Sequence, residues 1–262
     1  MVAQLEYWRE QLREPLPVVR LAKSGPTRTI DDLCTARRAW MLPASLAETA
    51  KRFAHQEGVT LYMTLVAALK TLLHRYLGED DVRVATNVAN RNRPGTEALI
   101  GPLVNTVVLR TNLGGDPNPR EVMRRVRSTA LAAFANQNFP FDEIVQNLER
   151  ERQLAPLANV MILLENATLR QVANPGHKLS FEEANPNMLV PLVTITSFDA
   201  ILMLRESANG LAGTCVYKPR LLQARTIDRL LRDFREVLER MTTQPEQPIS
   251  SIRISLNEPS NR

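Results

Sequence analysis

Residues 100–110 read IGPLVNTVVLR, and the polar pair at their centre decides how the chain is organised. The apolar run from Leu103 to Arg110 predicts a strand with a buried face. Asn105 and Thr106 interrupt it, and an amide in that place must find hydrogen-bond partners or face a cavity. Upstream, Val82, Val84, Thr86 and Val88 alternate as a second strand, and the polar stretch Asn90–Thr96 is a loop between the two. Downstream, GGDPNP is a turn cluster ahead of a helix with Val122, Val126, Ala130 and Phe134 inward. Its Arg120, Arg124, Arg125 and Arg127 are expected mostly on the solvated surface. In NQNFPFDEIV, residues 136–145, a polar triplet leads to a backbone pinned at Pro140 and then a short helix, Phe141–Leu148.

The same periods extend to both ends. Residues 4–13 predict a helix, a Pro-punctuated connector runs from Pro15 to Pro26, and a strand is expected around Cys34–Leu42. Leu46, Ala50, Phe53 and Ala54 mark one helix face ending at Gly58. Thr60 is placed to cap the next helix, carried by Leu61, Leu65, Leu69, Leu72 and Tyr76. Strands are expected over 159–165, 191–204 and 210–218, with Asp199 of Ser197-Phe198-Asp199 needing a partner among strand residues. Ile227, Leu230, Leu231, Phe234, Val237, Leu238 and Met241 form a continuous apolar helical stripe, and QPEQPISSI beyond Thr243 reads as an exposed connector. Alternating helix and strand periods predict a mixed α/β fold, a sheet flanked by helices. The expected organisation is an N-terminal helix and connector over 1–30, one lobe over 31–243 and an exposed C-terminal linker over 244–262.

Composition excludes several classes. The 262 residues are 44% hydrophobic and 23% charged, which is globular and not disordered. A membrane span needs about 20 consecutive apolar residues, and no apolar run here, Val160–Leu164 among them, approaches that length. The N-terminus has no apolar signal region, so the expectation is a soluble, cytoplasmic chain. Cys34 and Cys215 are too few and too far apart for a disulfide framework or zinc site, and are expected as buried strand thiols. The net charge of +5 is spread over separate segments with no nucleic-acid motif. His55, His74 and His177 show no metal-ligand spacing, and no phosphate-binding glycine loop or serine nucleophile elbow occurs. The acidic runs Asp31-Asp32, Glu79-Asp80-Asp81 and Glu182-Glu183 read as solvated turns. The residues alone thus describe an α/β domain with no self-contained active site, no metal site and no directly bound cofactor.

Six segments in order resemble the second half of a condensation domain of non-ribosomal peptide synthetases. IGPLVNTVVLR is similar to the family's IGxFVNTxxxR, keeping Gly101, Val104, Asn105, Thr106 and Arg110. NQNFPFDEIV resembles HQDxPFExLV, keeping Gln137, Pro140 and Phe141, and RERQLAPLANVMILLEN resembles RDxSRxPLFQVxFxxxN, keeping Arg150, Pro156, Leu157, Val160 and Asn166. VATNVANRNRPGTEALIG keeps Arg91 and Glu97 of VGTPxAGRxxxxxExLIG, while SFDAILML and LEYWREQL are similar to the KFDLxLxL strand and the AYWxxQL helix. Asn136, Asn138, Asn90 and Leu154 depart from the family's His, Asp, Gly and Arg, and Pro102 and Leu103 from its Phe-containing pair. The catalytic HHxxxDG motif belongs to the first half and is absent from this sequence.

The resemblance implies a chloramphenicol-acetyltransferase-like lobe. It implies a C-terminal subdomain that supplies a tunnel wall and a carrier-protein surface for amide formation between carrier-tethered thioesters, inactive alone. Asn105, Thr106, Gln137, Pro140 and Phe141 are the implied tunnel or interlobe residues; Arg91, Gly101, Arg110, Arg150 and Asp199 are the implied structural ones. Implied partners are the N-terminal condensation lobe, peptidyl or acyl carrier proteins bearing phosphopantetheine, and adjacent synthetase modules, with no nucleic acid and no membrane. Self-association through an exposed lobe interface is expected. A carrier-binding scaffold without catalysis, or a lobe of an epimerisation or heterocyclisation domain, are the alternative implications.

Overall fold

A computed structural model describes residues 2–14, 16, 21, 34–92, 94–96, 98–149, 157–165 and 198–255. Strand β1 is Ala36–Pro43, followed directly by helix α2, Ala44–Gln56; helix α1, Val2–Gln11, precedes them. Helix α3 spans Leu61–Leu77. Thr60 caps it by accepting from the backbone N–H of Met63, and Gly78 ends it in the left-handed conformation. Strands β2, Asp81–Val88, and β3, Asn105–Asn112, follow. The GGDPNP cluster then opens helix α4, Pro119–Ala135: Pro119 takes the first helical position and Asn118 accepts from Glu121 N–H. Helix α5 is Phe141–Glu149, strands β4, β5 and β6 are Val160–Glu165, Ala200–Ser207 and Gly210–Tyr217, and helix α6 is Ala224–Thr243.

The six strands among the described residues form one sheet in the order β1-β6-β5-β4-β2-β3, with β4 parallel to β2 and β5 and the other pairs antiparallel. Gly210 sits at the β5–β6 turn with φ +124°, and a Cβ there would collide with the backbone carbonyl of Leu42, so the turn requires glycine. All seven residues of the α6 stripe are buried, and Phe234 stands edge-on to Trp40 of β1 at 5.5 Å between ring centres. Cross-strand pairs share a face, so Val84, Leu109 and Thr111 face α3 while Arg83 and Arg110 face the other side. Lys70 of α3 reaches Thr111, and α1 reaches Arg110, which places the two helices on opposite faces of the sheet.

Several expectations are corrected. The β3 strand starts at Asn105, not Leu103, because residues 98–104 are committed to a separate loop. The strand expected over 191–204 is seen as Ala200–Ser207; its portion 191–197 lies outside the described residues. Cys215 is buried in β6, whereas Cys34 is exposed, since β1 begins two residues after it. Asp81 is not a solvated turn acid: its side chain is 17% exposed and pairs with Arg110. The segment after Thr243 is not an exposed connector as far as Ser255, because Ile249, Ile252 and Ile254 are buried against the helices. Pro248 turns the chain into a 3-10 helix, Ile249–Ser251, whose Ile249 N–H donates to Pro117 O at 3.0 Å. The N-terminal helix likewise belongs to the same core through Trp8 and Leu12. Arg150, Pro156, Asn166, Glu97, His177, Asp31-Asp32 and Glu182-Glu183 lie outside the described residues.

Candidate functional site

Asn105 resolves the conflict in its own strand. Its Nδ2 donates to Gln137 O at 2.8 Å and Phe139 O at 2.7 Å, and its Oδ1 accepts from Phe141 N–H at 3.0 Å. The side chain therefore uses two donors and one acceptor to hold the turn 137–141 and to cap the first residue of α5 from another element. Phe139 fills the core beneath the turn, Pro140 stands exposed at its crest, and Phe141 is half-buried. Gln137 folds back on α4, its Nε2 donating to Phe134 O at 2.8 Å. From the other side the indole N–H of Trp8 donates to Asn136 O at 3.1 Å. Thus Asn105, Gln137, Pro140 and Phe141 are brought into one cluster, with Thr106 beside it donating to Asn87 Oδ1 at 3.0 Å.

Arg110 lies toward the far end of β3. It makes a paired contact with Asp81 through Nε and Nη2 (2.7 Å for the latter) and donates Nη1 to Gln11 O and Arg13 O, joining α1 to the sheet. Arg91 organises the loop before β3: its guanidinium donates to the carbonyls of Thr96, Leu99 and Gly101 at 2.6, 2.7 and 3.5 Å. Asp199 is buried and accepts from Asn159 Nδ2 at 2.7 Å, which meets the requirement for a partner. Each of these side chains has its hydrogen-bonding capacity turned inward, toward backbone or a neighbour, so the chemistry they supply is positioning.

Sequence reasoning missed Lys70. The residue is fully buried, and its ammonium donates to Val82 O, Leu109 O and Thr111 Oγ1 at 3.1, 2.7 and 2.7 Å. Burial pulls its pKa well down, opposed by the charge of Asp81. A lysine between Leu69 and Leu72 on an apolar helix was the available signal. Asp233 was also missed: it accepts from Tyr76 OH at 2.7 Å, from Ser255 N–H at 3.0 Å and from the Ser255 hydroxyl, tying the C-terminal segment to α3 and α6. The α4 arginines are ion-paired in part. Arg124 and Arg125 hold Glu121 at a pKa of about 2, and Arg120 joins Glu57 to Glu246. Arg120, Arg124 and Arg127 border a surface concavity of about 650 Å³ beside Gly58 and Asn118. Among the described residues no group of three His, Cys, Asp or Glu side chains is arranged to hold a metal ion, and no helix is long and apolar enough to cross a membrane.

The mixed sheet and its flanking helices define a chloramphenicol-acetyltransferase-like α/β fold. Solved structures that share it include condensation domains. The X-domain from teicoplanin biosynthesis superposes with a TM-score of 0.79 at 23% identity, over 97% of this chain and 57% of that one. The first condensation domain of the CDA synthetase gives 0.77 at 19%, over 97% and 53%. The chain belongs to the condensation-domain family, whose profile matches residues 1–260. It is 38% identical over 254 residues to a component of the linear gramicidin synthase of Brevibacillus parabrevis, covering 96% of this chain and 5% of that protein. It is 34% identical to surfactin synthase subunit 1 of Bacillus subtilis (strain 168), covering 95% and 7%. The family is that of non-ribosomal peptide synthetases in secondary metabolism, and this chain spans a small share of those synthetases and somewhat more than half of the solved domains.

Proposed function

We propose that the chain is the C-terminal lobe of an amide-forming condensation domain, inactive by itself. The observation that carries the reading is one of extent: the fold matches 97% of this chain but only 53–57% of the condensation-type chains it resembles. In the reaction proposed, the amine nitrogen of an acceptor attacks the carbonyl carbon of a donor thioester. A C–N bond forms, the C–S bond breaks, and the thiol leaves on the phosphopantetheine arm of the donor carrier protein. The base that takes the amine proton belongs to the HHxxxDG motif of the N-terminal lobe, and this lobe supplies alignment and exclusion of water.

Asn105 has the central positioning role, because the turn it holds carries Gln137, Pro140 and Phe141 as a tunnel or interlobe wall. Thr106 extends that wall at the end of β3. Arg91, Gly101, Arg110, Arg150 and Asp199 are structural. Carrier proteins and adjacent modules are the partners, the cytoplasm the compartment, and the exposed lobe surface the route of self-association. The test is reconstitution: the chain is joined to an N-terminal condensation lobe and supplied with two aminoacyl-carrier proteins. Dipeptidyl-carrier product, read by intact-protein mass spectrometry, is expected from the joined protein and not from the chain alone. Product from the chain alone, or none from a joined protein whose lobes are docked, overturns the proposal.

A further inference from the structure

Four backbone groups within residues 136–141 are held by side chains from other elements. Asn105 of β3 takes three of them, donating to Gln137 O and Phe139 O and accepting from Phe141 N–H. The fourth, Asn136 O, accepts the indole N–H of Trp8 at 3.1 Å, from α1. Asn136 caps the end of α4, where helix carbonyls lack an intrahelical partner, so a donor there fixes how the chain leaves the helix. Trp8 is 1% exposed, and a buried indole N–H needs a partner. Tyr7 stands edge-on to the indole at 4.9 Å between ring centres. Helix α1 is in turn held by β3. Arg110 Nη1 donates to Gln11 O and Arg13 O at 3.1 and 2.7 Å, and Gln11 Nε2 donates to Arg110 O at 3.2 Å. Arg110 lies five positions beyond Asn105 on the same strand, about 17 Å along it, too far to touch the turn itself.

We propose that Trp8 is a second positioning residue of the tunnel or interlobe wall, gripping its turn at the residue before those that Asn105 holds, and that Arg110 acts through Trp8 by fixing α1. This rests on the reading of the chain as a C-terminal lobe whose 137–141 turn lines that wall. The indole fills the core with its carbon atoms, and its one polar atom is spent on the residue from which the turn departs. Both grips refer the turn to β3, one directly through Asn105 and one through Arg110 and α1. A reaction that proceeds by alignment is sensitive to such a frame, since a misplacement of about 1 Å costs about a hundredfold in rate. Trp8 therefore acts on the bond-forming step and not on capture of a carrier protein.

The experiment has two arms. In the unjoined chain, native-state hydrogen exchange is measured for Trp8→Phe and for Trp8 replaced by benzothienylalanine, which keeps the ring size and has sulfur in place of the N–H. Both are expected to speed exchange across 137–149 about two- to tenfold, the worth of one hydrogen bond, with α3 and α6 unchanged. Arg110→Lys keeps a charge beside Asp81 and loses the fork to Gln11 O and Arg13 O. It is expected to speed the same amides in the native background and to add nothing on top of Trp8→Phe. In the second arm the chain is joined to the N-terminal lobe of a linear gramicidin synthase condensation domain and supplied with two aminoacyl-carrier proteins. Benzothienylalanine at position 8 should slow single-turnover C–N bond formation at least about threefold, with the half-saturating concentration of acceptor carrier unchanged. Unchanged exchange at 137–149 overturns the proposal whatever the joined protein does. Faster exchange with an unchanged bond-forming rate makes Trp8 structural alone and also overturns it, while the lobe reading stands. Additive effects of Arg110→Lys and Trp8→Phe overturn the part given to Arg110. No product from the joined native sequence, its lobes docked, overturns the lobe reading and the proposal with it.

Discussion

Removing the Asn105 side chain should open one end of the lobe without unfolding the rest. Asn105→Ala deletes three hydrogen bonds, to Gln137 O, Phe139 O and from Phe141 N–H. At a net worth of about 0.5–1.5 kcal/mol each, and with water able to reach the half-buried site, the loss is about 2–3 kcal/mol. Almost all of it falls on the turn 136–141 and on α5, whose first N–H loses its cap, because the strand around Asn105 keeps its ladder to β2. A loss of that size corresponds to local opening about 30- to 200-fold more frequent. Native-state hydrogen exchange should therefore show amides of 138–149 exchanging faster by that factor, with α3 and α6 unchanged. Asn105→Asp should be no better at pH 7, since a carboxylate cannot donate and would face two carbonyl oxygens. If Asn105→Ala speeds exchange in α5 by less than about threefold, the clamp does not hold the turn, and the role given to Asn105 is wrong.

Three further outcomes are expected. The folded chain keeps the Cys215 proton up to about pH 12 because the thiol is buried, whereas an unfolded thiol releases it near 9. Stability should then fall by about 1.4 kcal/mol per pH unit across that window from this group, and urea titrations of Cys215→Ala between pH 8 and 11 should show a correspondingly shallower slope; equal slopes would refute the assignment. Lys70→Met leaves two carbonyls and a hydroxyl without their buried donor and should cost about 1–3 kcal/mol by chemical denaturation, and a neutral or stabilising effect would mean the ammonium is not integral to the β2–β3 contact. Ending the chain after Gln244 removes buried Ile249, Ile252 and Ile254 and leaves Asp233 without Ser255. At about 1.5–3 kcal/mol per fully buried side chain the truncated protein should lose at least about 4 kcal/mol, and a melting temperature equal to the full chain's would show that the segment is not docked.

Local patterns carried much of the fold. Thr60 caps α3 where the sequence places it, and the GGDPNP cluster turns the chain into α4, since capping and turning depend on neighbours within four residues. The α6 stripe and the alternation of β2 were legible for the same reason: one face of each element is buried and periodicity records it. The motif spacing identified the family and the place of Asn105, Gln137, Pro140 and Phe141 in it. What each of them touches was not legible. Asn105 meets residues 32 to 36 positions away, and Asp233 meets Tyr76 across 157.

Polar residues on apolar elements announce that a partner exists, and at Asn105 and Asp199 the sequence by itself required one. Which partner satisfies them is decided by the order of the sheet. Placing β3 at its edge beside α4 brings the 137–141 turn over Asn105, and placing α3 against β2 and β3 buries Lys70 among their acceptors. The C-terminal isoleucines are buried for the same reason, because Pro117, Arg75 and Asp233, which hold their segment, come from three separate parts of the chain. Periodicity is a local property of the chain, and burial of a particular polar group is a property of the assembled layers.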